Sequence, residues 1–250
     1  MLFSFSFLIP IFVGFVYEES SINIFISLMI GIFLVGCCSW VFTRKDGSDL
    51  SLSDGFIITV LFWLVLSLFG ALPFYFLGFS FVDSLFESMS GITTTGATVF
   101  SGLDELDKSV LIYRQLLQWM GGMGLIVLAI AVMPLLGIGG GQLFKTQTPG
   151  AMSNQKLTPR ITNTARALWL IYLGLTILCL SSYKLAGMSF FDSFAHALST
   201  VSIGGFSTHD ASIGFFNNIN IEIVCMVFMI LSAINFSLHY ITFLFFDMPY

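Results

Sequence analysis

The sequence predicts an all-α polytopic membrane protein in which two parallel span–pore-loop–span repeats follow two extra transmembrane helices. Three observations lead to this fold class. Hydrophobic residues make up 56% of the 250 positions and charged residues only 9%, against roughly 25% charged in soluble domains. Apolar runs of membrane-spanning length recur, and two shorter ones repeat at a fixed offset. So few charges cannot cover a water-facing surface, which excludes a soluble enzyme, a nucleic-acid-binding protein and a disordered tail.

Six apolar runs are candidates for helices that cross the membrane. A crossing needs about 20 apolar residues to traverse about 30 Å of hydrocarbon. The first run is short and contains Pro10, so we expect a short or tilted helix there. The six runs are Leu2–Val16, Ile22–Phe42, Phe56–Leu77, Leu111–Ile138, Ala165–Ala186 and Ile219–Phe246.

Two further apolar stretches, 81–91 and 190–200, are too short to cross. A helix of that length reaches about 16 Å, half of the hydrocarbon thickness. Each stretch follows a glycine, carries an aspartate near its start (Asp83 or Asp192) and continues into small polar residues and glycine. Irregular backbone at membrane depth is tolerated only where protein buries it or where it lines water. The pattern therefore indicates two half-helices that lead into pore loops.

An internal repeat relates these regions at an offset of 109 residues. GFSFVDSLFESMSGITTTG (78–96) aligns without a gap to GMSFFDSFAHALSTVSIGG (187–205), with seven identities among nineteen positions, mostly glycine, serine and aspartate. Each unit contains two full crossings, so both copies have the same orientation, unlike the inverted repeats of many transporters. The predicted divisions are a helix pair at 1–43, pore repeat 1 at 55–138, a cytoplasmic linker at 139–163 and pore repeat 2 at 164–247.

The segments 92–98 and 201–207 are the candidate filters of this pore. An ion that enters the membrane exchanges its water shell for other oxygens, which rings of backbone carbonyls supply. Glycine permits the positive φ angles that direct successive carbonyls the same way. Because the ligand is the main chain, Ile203 can stand where the first repeat has Thr94, with its side chain packed behind the filter. The half-helix C-termini, negative in the helix dipole, favour a cation.

The alternative for these glycines and threonines is close helix packing, as small residues provide in membranes. Their repetition at a fixed offset after a half-length helix favours the filter. Similarly, the acidic residues beyond the filters either concentrate cations at the pore mouth or belong to an ordinary solvated loop. These acidic residues are Asp104, Glu105, Asp107 and Asp210.

Other polar residues have expected structural roles. Glu87 and His196 occupy equivalent half-helix positions, where a hydrogen bond that braces the filter is more plausible than direct ion contact. Arg114 and Gln115 begin the fourth span, and Gly121, Gly122 and Gly124 allow close approach or bending there. Asn235 and His239 share one face of the sixth span. We expect His209 and His239 not to bind metal and the four cysteines to act as small apolar residues.

The lysine and arginine distribution orients the chain. The loops at 44–54 and 139–164, with Arg166, hold six basic residues, and the opposite side holds three: Lys108, Arg114 and Lys184. The larger set is expected in the cytoplasm. The half-helices then enter from outside.

Five strings resemble the TrkH subunit of bacterial Trk potassium uptake systems, within the Trk/Ktr/HKT superfamily. They are KDGSDLSLSDGFIITVLFWL, SGITTTGATVFSGLD, YRQLLQWMGGMGLIVLAIAVMPLLGIGG, KLTPRITNTARALWLIYL and STVSIGGFSTHDASIG. The resemblance implies potassium uptake across the bacterial cytoplasmic (inner) membrane by a non-enzymatic protein without organic cofactor. It also implies homodimers, a TrkA-type nucleotide-binding partner in the cytoplasm, surrounding lipid and no nucleic acid. Carried over by position, the potassium ligands are Thr94, Thr95 and Gly96 in one filter and Ile203, Gly204 and Gly205 in the other.

The length departs from the pattern of this family, which has four such units. Two more units of 109 residues would bring the chain to about 470 residues. We therefore expect a fragment that forms half of a pore, rather than a truncated gene product or two associating chains. The alternative functions are an ion-coupled secondary cation transporter and a truncated membrane protein that does not conduct.

Overall fold

The computed structural model describes residues 1–43, 52–132, 157–234 and 238–239. Within these ranges the chain consists of helices and loops, so the expected all-α class is confirmed. The α-helices are α1 (Leu8–Val16), α2 (Ile22–Thr43), α3 (Leu52–Phe76), α4 (Phe81–Ile92), α5 (Lys108–Val132), α6 (Leu157–Leu185), α7 (Phe190–Val201) and α8 (Ile219–Ala233). Short 3₁₀ helices occupy Leu2–Phe7, Leu103–Glu105 and Ser212–Phe216.

Three helices in the described part are long and apolar enough to cross a membrane: Ile22–Thr43, Ile57–Phe76 and Ala165–Leu185. Only 11% to 28% of each apolar window is buried inside the chain, so most of this surface faces outward. Lipid, unlike water, accommodates such a surface without cost. The protein is a membrane protein, as its composition predicts.

Within the described residues, the helical parts of the first and last expected spans are Leu2–Val16 and Ile219–Ala233, each shorter than a full crossing. The segment Leu2–Val16 is a 3₁₀ turn continued by α1, and α8 stops at Ala233, where Ile234 adopts extended backbone. Residues 235–237 and 240–250, including Asn235, lie outside the described residues, as do 133–156 with most of the expected linker.

Helix α5 lies at the centre of the fold. It packs against α1, α3, α4, α6 and α7, and every residue from 109 to 118 is buried. The Tyr113 hydroxyl donates a hydrogen bond to the Gly70 carbonyl of α3 at 3.1 Å. Three aromatic rings surround Tyr113 at centroid distances of 5.4 to 5.5 Å: Phe7, Phe25 and Phe74. These aromatic contacts pack the N-terminal helices and α3 against the central helix α5.

The N-terminal helix pair also anchors the start of α5. The Glu19 carboxylate, between α1 and α2, accepts hydrogen bonds from the backbone amides of Lys108 and Ser109 at 2.6 and 2.9 Å. The first amides of a helix have no partner within the helix and attract negative charge. Glu19 supplies both the acceptor and the charge.

The two short helices begin alike. Ser80 caps α4 by accepting the Asp83 amide at 3.1 Å, and Ser189 caps α7 by accepting the Asp192 amide at 3.0 Å. Serine is a preferred capping residue because its side chain satisfies a free amide of the first turn. The helices start where the short apolar stretches start and extend one residue beyond them, to Ile92 and Val201.

Candidate functional site

The first candidate filter loop leaves α4 through a specific hydrogen-bonding pattern. The Thr94 amide donates to the Gly91 carbonyl and the Thr95 amide to the Ser90 carbonyl, both at 2.9 Å. Together these two bonds form a Schellman motif, in which the first residue past the helix is left-handed. Thr94 occupies that position, with φ of 54°.

The second loop repeats this geometry 109 residues later. The Ile203 amide donates to Thr200 at 3.0 Å, and the Gly204 amide donates to Ser199 at 2.9 Å. Ile203 has φ of 55°, within a degree of Thr94. The two loops therefore enter their irregular segments with one backbone conformation, although only the first has threonine there.

A β-branched residue at this position is unusual. The left-handed position of a Schellman motif is most often glycine, and after α3 and α6 it is indeed Gly78 and Gly187. A left-handed conformation costs a residue with a side chain about 1–2 kcal/mol. Strain of this kind persists only where the surrounding structure imposes it, and it concentrates at functional sites.

Each loop then has a second left-handed residue, which is a glycine in both repeats. Gly96 has φ of 78° and Gly205, its equivalent, has φ of 88°. The surroundings of the two differ: a Cβ on Gly96 would collide with the Gly204 carbonyl, whereas a Cβ on Gly205 would meet nothing within 4 Å. The first loop thus touches the second at Gly96, and the candidate filter residues of both repeats come together there.

Part of the candidate filter surface is uncovered in this chain. Thr93 and Thr95 are exposed, with their hydroxyls 2.8 Å apart. Ile203 is 45% exposed in this chain, so the expectation that its side chain packs behind the filter stays a prediction. Ile203 lines a cavity together with Cys225 and Met229.

Glu87 braces the first loop from behind. Its carboxylate accepts hydrogen bonds from the Thr98 hydroxyl at 2.9 and 3.0 Å and from the Val99 amide at 3.2 Å. Glu87 is fully buried. The hydrogen bond that the sequence led us to expect, one that braces the loop, is therefore observed.

Arg114 of α5 completes this network. Its guanidinium forms an ion pair with Glu87 at 2.6 Å, and the side chains of both residues have no exposed surface. It also donates to the Thr98 hydroxyl and, across the repeats, to the Ser207 carbonyl, both at 3.0 Å. Arg114 is counted among the basic residues on the side of the half-helices, and the structure buries it there and pairs it with Glu87.

His196 holds the second loop at the equivalent point. One ring nitrogen lies 2.9 Å from the Ser207 hydroxyl, and the other lies 2.9 Å from the Asp192 carbonyl. Since Ser207 corresponds to Thr98, each half-helix bonds the hydroxyl at the same place in its loop. The second repeat does this without an ion pair.

Helix α5 forms a wall against both loops. A Cβ on Gly121 would collide with the Ile92 carbonyl at the end of α4, and a Cβ on Gly122 would lie 3.1 Å from Ser202. The Gln118 amide oxygen accepts the backbone amide of Phe206 at 3.1 Å. The close approach expected of this glycine pair is therefore observed, whereas Gly124 makes only an ordinary contact.

The acidic residues beyond the filters tie the two loops together. His209 hydrogen-bonds through Nδ1 to the Asp104 carboxylate. The Leu103 amide donates to Asp210 at 3.1 Å, and the Asp210 amide donates to Asp104 at 3.4 Å. The hydrogen bond from His209 lowers the pKa of the Asp104 carboxyl below its ordinary value of 3.8. We call Asp104, His209 and Asp210 the outer clasp.

A cavity of about 150 Å³ lies inside the outer clasp. Gly96 and Thr98 of the first loop line it together with Gly205 and Ser207 of the second. The remaining acidic residues, Glu105 and Asp107, are exposed and partly buried, respectively. Among the described residues, no group of three metal-binding side chains comes together. His239 contacts the Leu231 carbonyl at 3.0 Å.

Comparisons with known proteins give one consistent family. Residues 20–248 match TrkH, a family of cation transport proteins. The chain is 49% identical over 245 residues to the Trk system potassium uptake protein TrkH of Vibrio parahaemolyticus, covering 97% of this chain and 50% of that protein. It is 48% identical over 243 residues to TrkG of Escherichia coli K12, covering 96% and 50%.

A solved structure agrees with these relatives. The crystal structure of the potassium transporter TrkH from Vibrio parahaemolyticus matches with a TM-score of 0.84 and 47% identity, covering 96% of this chain and 48% of that one. The chain spans about half the length of the relatives it matches.

Proposed function

Since the chain belongs to the TrkH family of cation transport proteins, we propose that it forms half of a pore that carries potassium across the cytoplasmic membrane. The relatives named above are potassium uptake proteins by name, and this chain corresponds to about half of their length. The complete pore requires further filter loops beyond the two in this chain.

One observation carries the proposal: the two loops have the same backbone at the same offset. Left-handed residues occur at Thr94 and Ile203 and again at Gly96 and Gly205. A shared backbone with different side chains is what a filter of main-chain carbonyls requires. Close helix packing alone does not explain why threonine and isoleucine both adopt a strained conformation.

The potassium ligands in this proposal are main-chain oxygens of Thr94, Thr95 and Gly96, and of Ile203, Gly204 and Gly205. The loops follow the C-terminal ends of α4 and α7, where the helix dipole is negative and favours a cation. The exposed threonine surface of the first loop is the side that the remaining half of the pore would cover.

The membrane arrangement follows from the basic residues. With Arg114 buried and paired, the outer side holds Lys108 and Lys184, against six basic residues on the other side. This excess favours a multi-pass chain whose filters face outward from the bacterial cytoplasm. A TrkA-type nucleotide-binding partner on the cytoplasmic face and a homodimer of the complete protein are part of the same proposal.

Uptake of rubidium, a potassium tracer, tests this function. The protein is expressed from its complete gene in bacteria that lack their own potassium uptake systems. We expect growth at low potassium and rubidium uptake that potassium suppresses and sodium does not. Absence of uptake at normal membrane abundance would contradict the proposal.

A vesicle experiment separates a channel-like pore from a coupled transporter. In vesicles that contain the purified complete protein, rubidium flux should follow the electrochemical gradient without a sodium or proton gradient. Flux that stops when the coupling ion is removed would favour the secondary transporter. The 250-residue chain alone should conduct poorly, because two loops cannot encircle an ion.

A further inference from the structure

We propose that Arg114 is a positioning residue that sets the separation of the two filter loops and thereby the discrimination between potassium and sodium. The inference rests on the proposed function for its transport consequence, but its structural content stands on contacts within this chain.

The guanidinium reaches three separate parts of the site. Nε donates to Glu87 on α4 at 2.8 Å, Nη2 to the Thr98 hydroxyl at 3.0 Å and Nη1 to the Ser207 carbonyl at 3.0 Å. Thr98 is the last residue of the first candidate filter segment, and Ser207 is the last residue of the second. One rigid, planar group therefore fixes both loops at once, as the fork geometry of arginine permits.

A second contact ties Arg114 to the second loop. Its guanidinium carbon lies 4.5 Å from the centroid of the Phe206 ring. The backbone amide of Phe206 is held in turn by Gln118, one helical turn further along α5. Residues 206 and 207 are thus attached to the helix of the other repeat by a ring contact and two hydrogen bonds.

Stability alone gives little reason for this arrangement. Both side chains of the Arg114–Glu87 pair are fully buried, and apolar residues of similar volume usually stabilise a protein at least as well as a buried ion pair does. What apolar residues cannot supply is directed bonds to the Thr98 hydroxyl and the Ser207 carbonyl. The second repeat has no such residue, because the position equivalent to Arg114 is Ile223, which is 47% exposed.

Hydrogen–deuterium exchange tests whether Arg114 holds both loops. The variant R114K keeps the charge opposite Glu87, but its donors share one nitrogen and cannot occupy the three separate positions of Nε, Nη1 and Nη2. In the purified complete protein, we expect amides of 93–99 and of 204–208 to exchange about tenfold faster, the effect of losing one hydrogen bond to a charged group. Acceleration confined to 93–99, or to neither loop, would overturn the inference.

Three further variants make the comparison specific. Thr98→Val removes the acceptor in the first loop only, so faster exchange should stay within 93–99. The double variant Glu87→Gln with Arg114→Gln leaves no unpaired buried charge, so it can be used if R114K does not accumulate. It should accelerate amide exchange in both loops. Lys184 lies in the second repeat, and its ammonium donates a hydrogen bond to the Met188 carbonyl at 3.3 Å. The control Lys184→Gln removes this cation and should change amide exchange in neither loop.

Competition uptake tests the consequence for selectivity. In cells that carry R114K, we expect the preference for potassium over sodium to fall about tenfold, whereas Lys184→Gln keeps it. A residue with a merely structural role would lower uptake of all ions equally, and an unchanged preference would overturn the selectivity claim. If the unmodified protein takes up no potassium, the proposed function fails, and the exchange data still decide whether Arg114 holds both loops.

Discussion

The half-helix that precedes the first candidate filter loop carries a buried ion pair, whereas the half-helix that precedes the second holds its loop through the imidazole of His196. Glu87 and His196 occupy equivalent positions and both bond the equivalent hydroxyl, of Thr98 or Ser207. Only Glu87 has a charged partner, Arg114, and that partner extends to the second loop. The repeats thus share a backbone without sharing the contacts that fix it, which shows that the loop conformation is the common requirement.

The largest expected difference between the repeats is at the shared glycines. Gly96→Ala places a Cβ against the Gly204 carbonyl, so we expect rubidium uptake to fall about a hundredfold through displacement of the loop. Gly205→Ala has space for its Cβ and bears only backbone strain of about 1–2 kcal/mol. We therefore expect rubidium uptake to fall only about tenfold. Equal losses at normal membrane abundance would show that contact between the loops does not matter.

Replacing Glu87 should destabilise the protein more than replacing the equivalent residue, His196. Glu87→Gln leaves the Arg114 charge buried without its carboxylate partner, which typically costs about 3–5 kcal/mol. His196→Gln removes neutral hydrogen bonds and should cost about 1–2 kcal/mol. Chemical denaturation of the purified complete protein in detergent measures both free energies of unfolding. A larger loss for His196→Gln than for Glu87→Gln would contradict the assignment of the ionic brace to the first repeat.

Replacing the left-handed β-branched residue of either loop by glycine should stabilise the protein, unlike the replacements of Glu87 and His196. Thr94→Gly and Ile203→Gly each relieve a left-handed β-branched residue, so each should raise the free energy of unfolding by about 1 kcal/mol after the entropy cost of glycine. Denaturation midpoints measure the change. Destabilisation in either repeat would mean that the side chain contributes more than its backbone costs.

The smallest expected effect concerns the outer clasp and pH. Because the folded-state pKa of Asp104 is lowered below 3.8, its carboxylate stabilises the fold above that pH, and the contribution is lost as pH falls through the lowered value. Melting temperatures of the complete protein between about pH 5 and pH 3 should therefore fall less steeply for Asp104→Asn. Asp107→Asn, in the same loop, is the control, and parallel slopes for all three proteins would contradict the clasp.

Much of the local structure could be predicted from the sequence. The starts of α4 and α7 follow from a serine three residues before an aspartate at the head of a short apolar stretch, Ser80–Asp83 and Ser189–Asp192, since caps are local. The offset of 109 placed equivalent residues correctly because the two loops share their backbone. The arrangement of the repeats around a pore stays a prediction.

What the sequence could not provide depends on contacts between distant residues. A left-handed Thr94 or Ile203 opposes the preference of β-branched residues, so no propensity indicates it. The sequence places Arg114 at the beginning of the fourth span but does not indicate its partners, because they lie 27 and 93 positions away. A charged residue inside a membrane helix is usually paired, and that signal, together with Glu87 in the half-helix, could have identified the brace.

Anomalous scattering from rubidium in crystals of the complete protein tests whether the two loops bind a cation through their backbone. We expect a peak between the two loops, coordinated by main-chain oxygens of the first loop around Thr94–Gly96 and of the second around Ile203–Gly205. Rubidium bound only by side chains, or no rubidium between the loops in a protein that transports it, would contradict a filter built from their shared backbone.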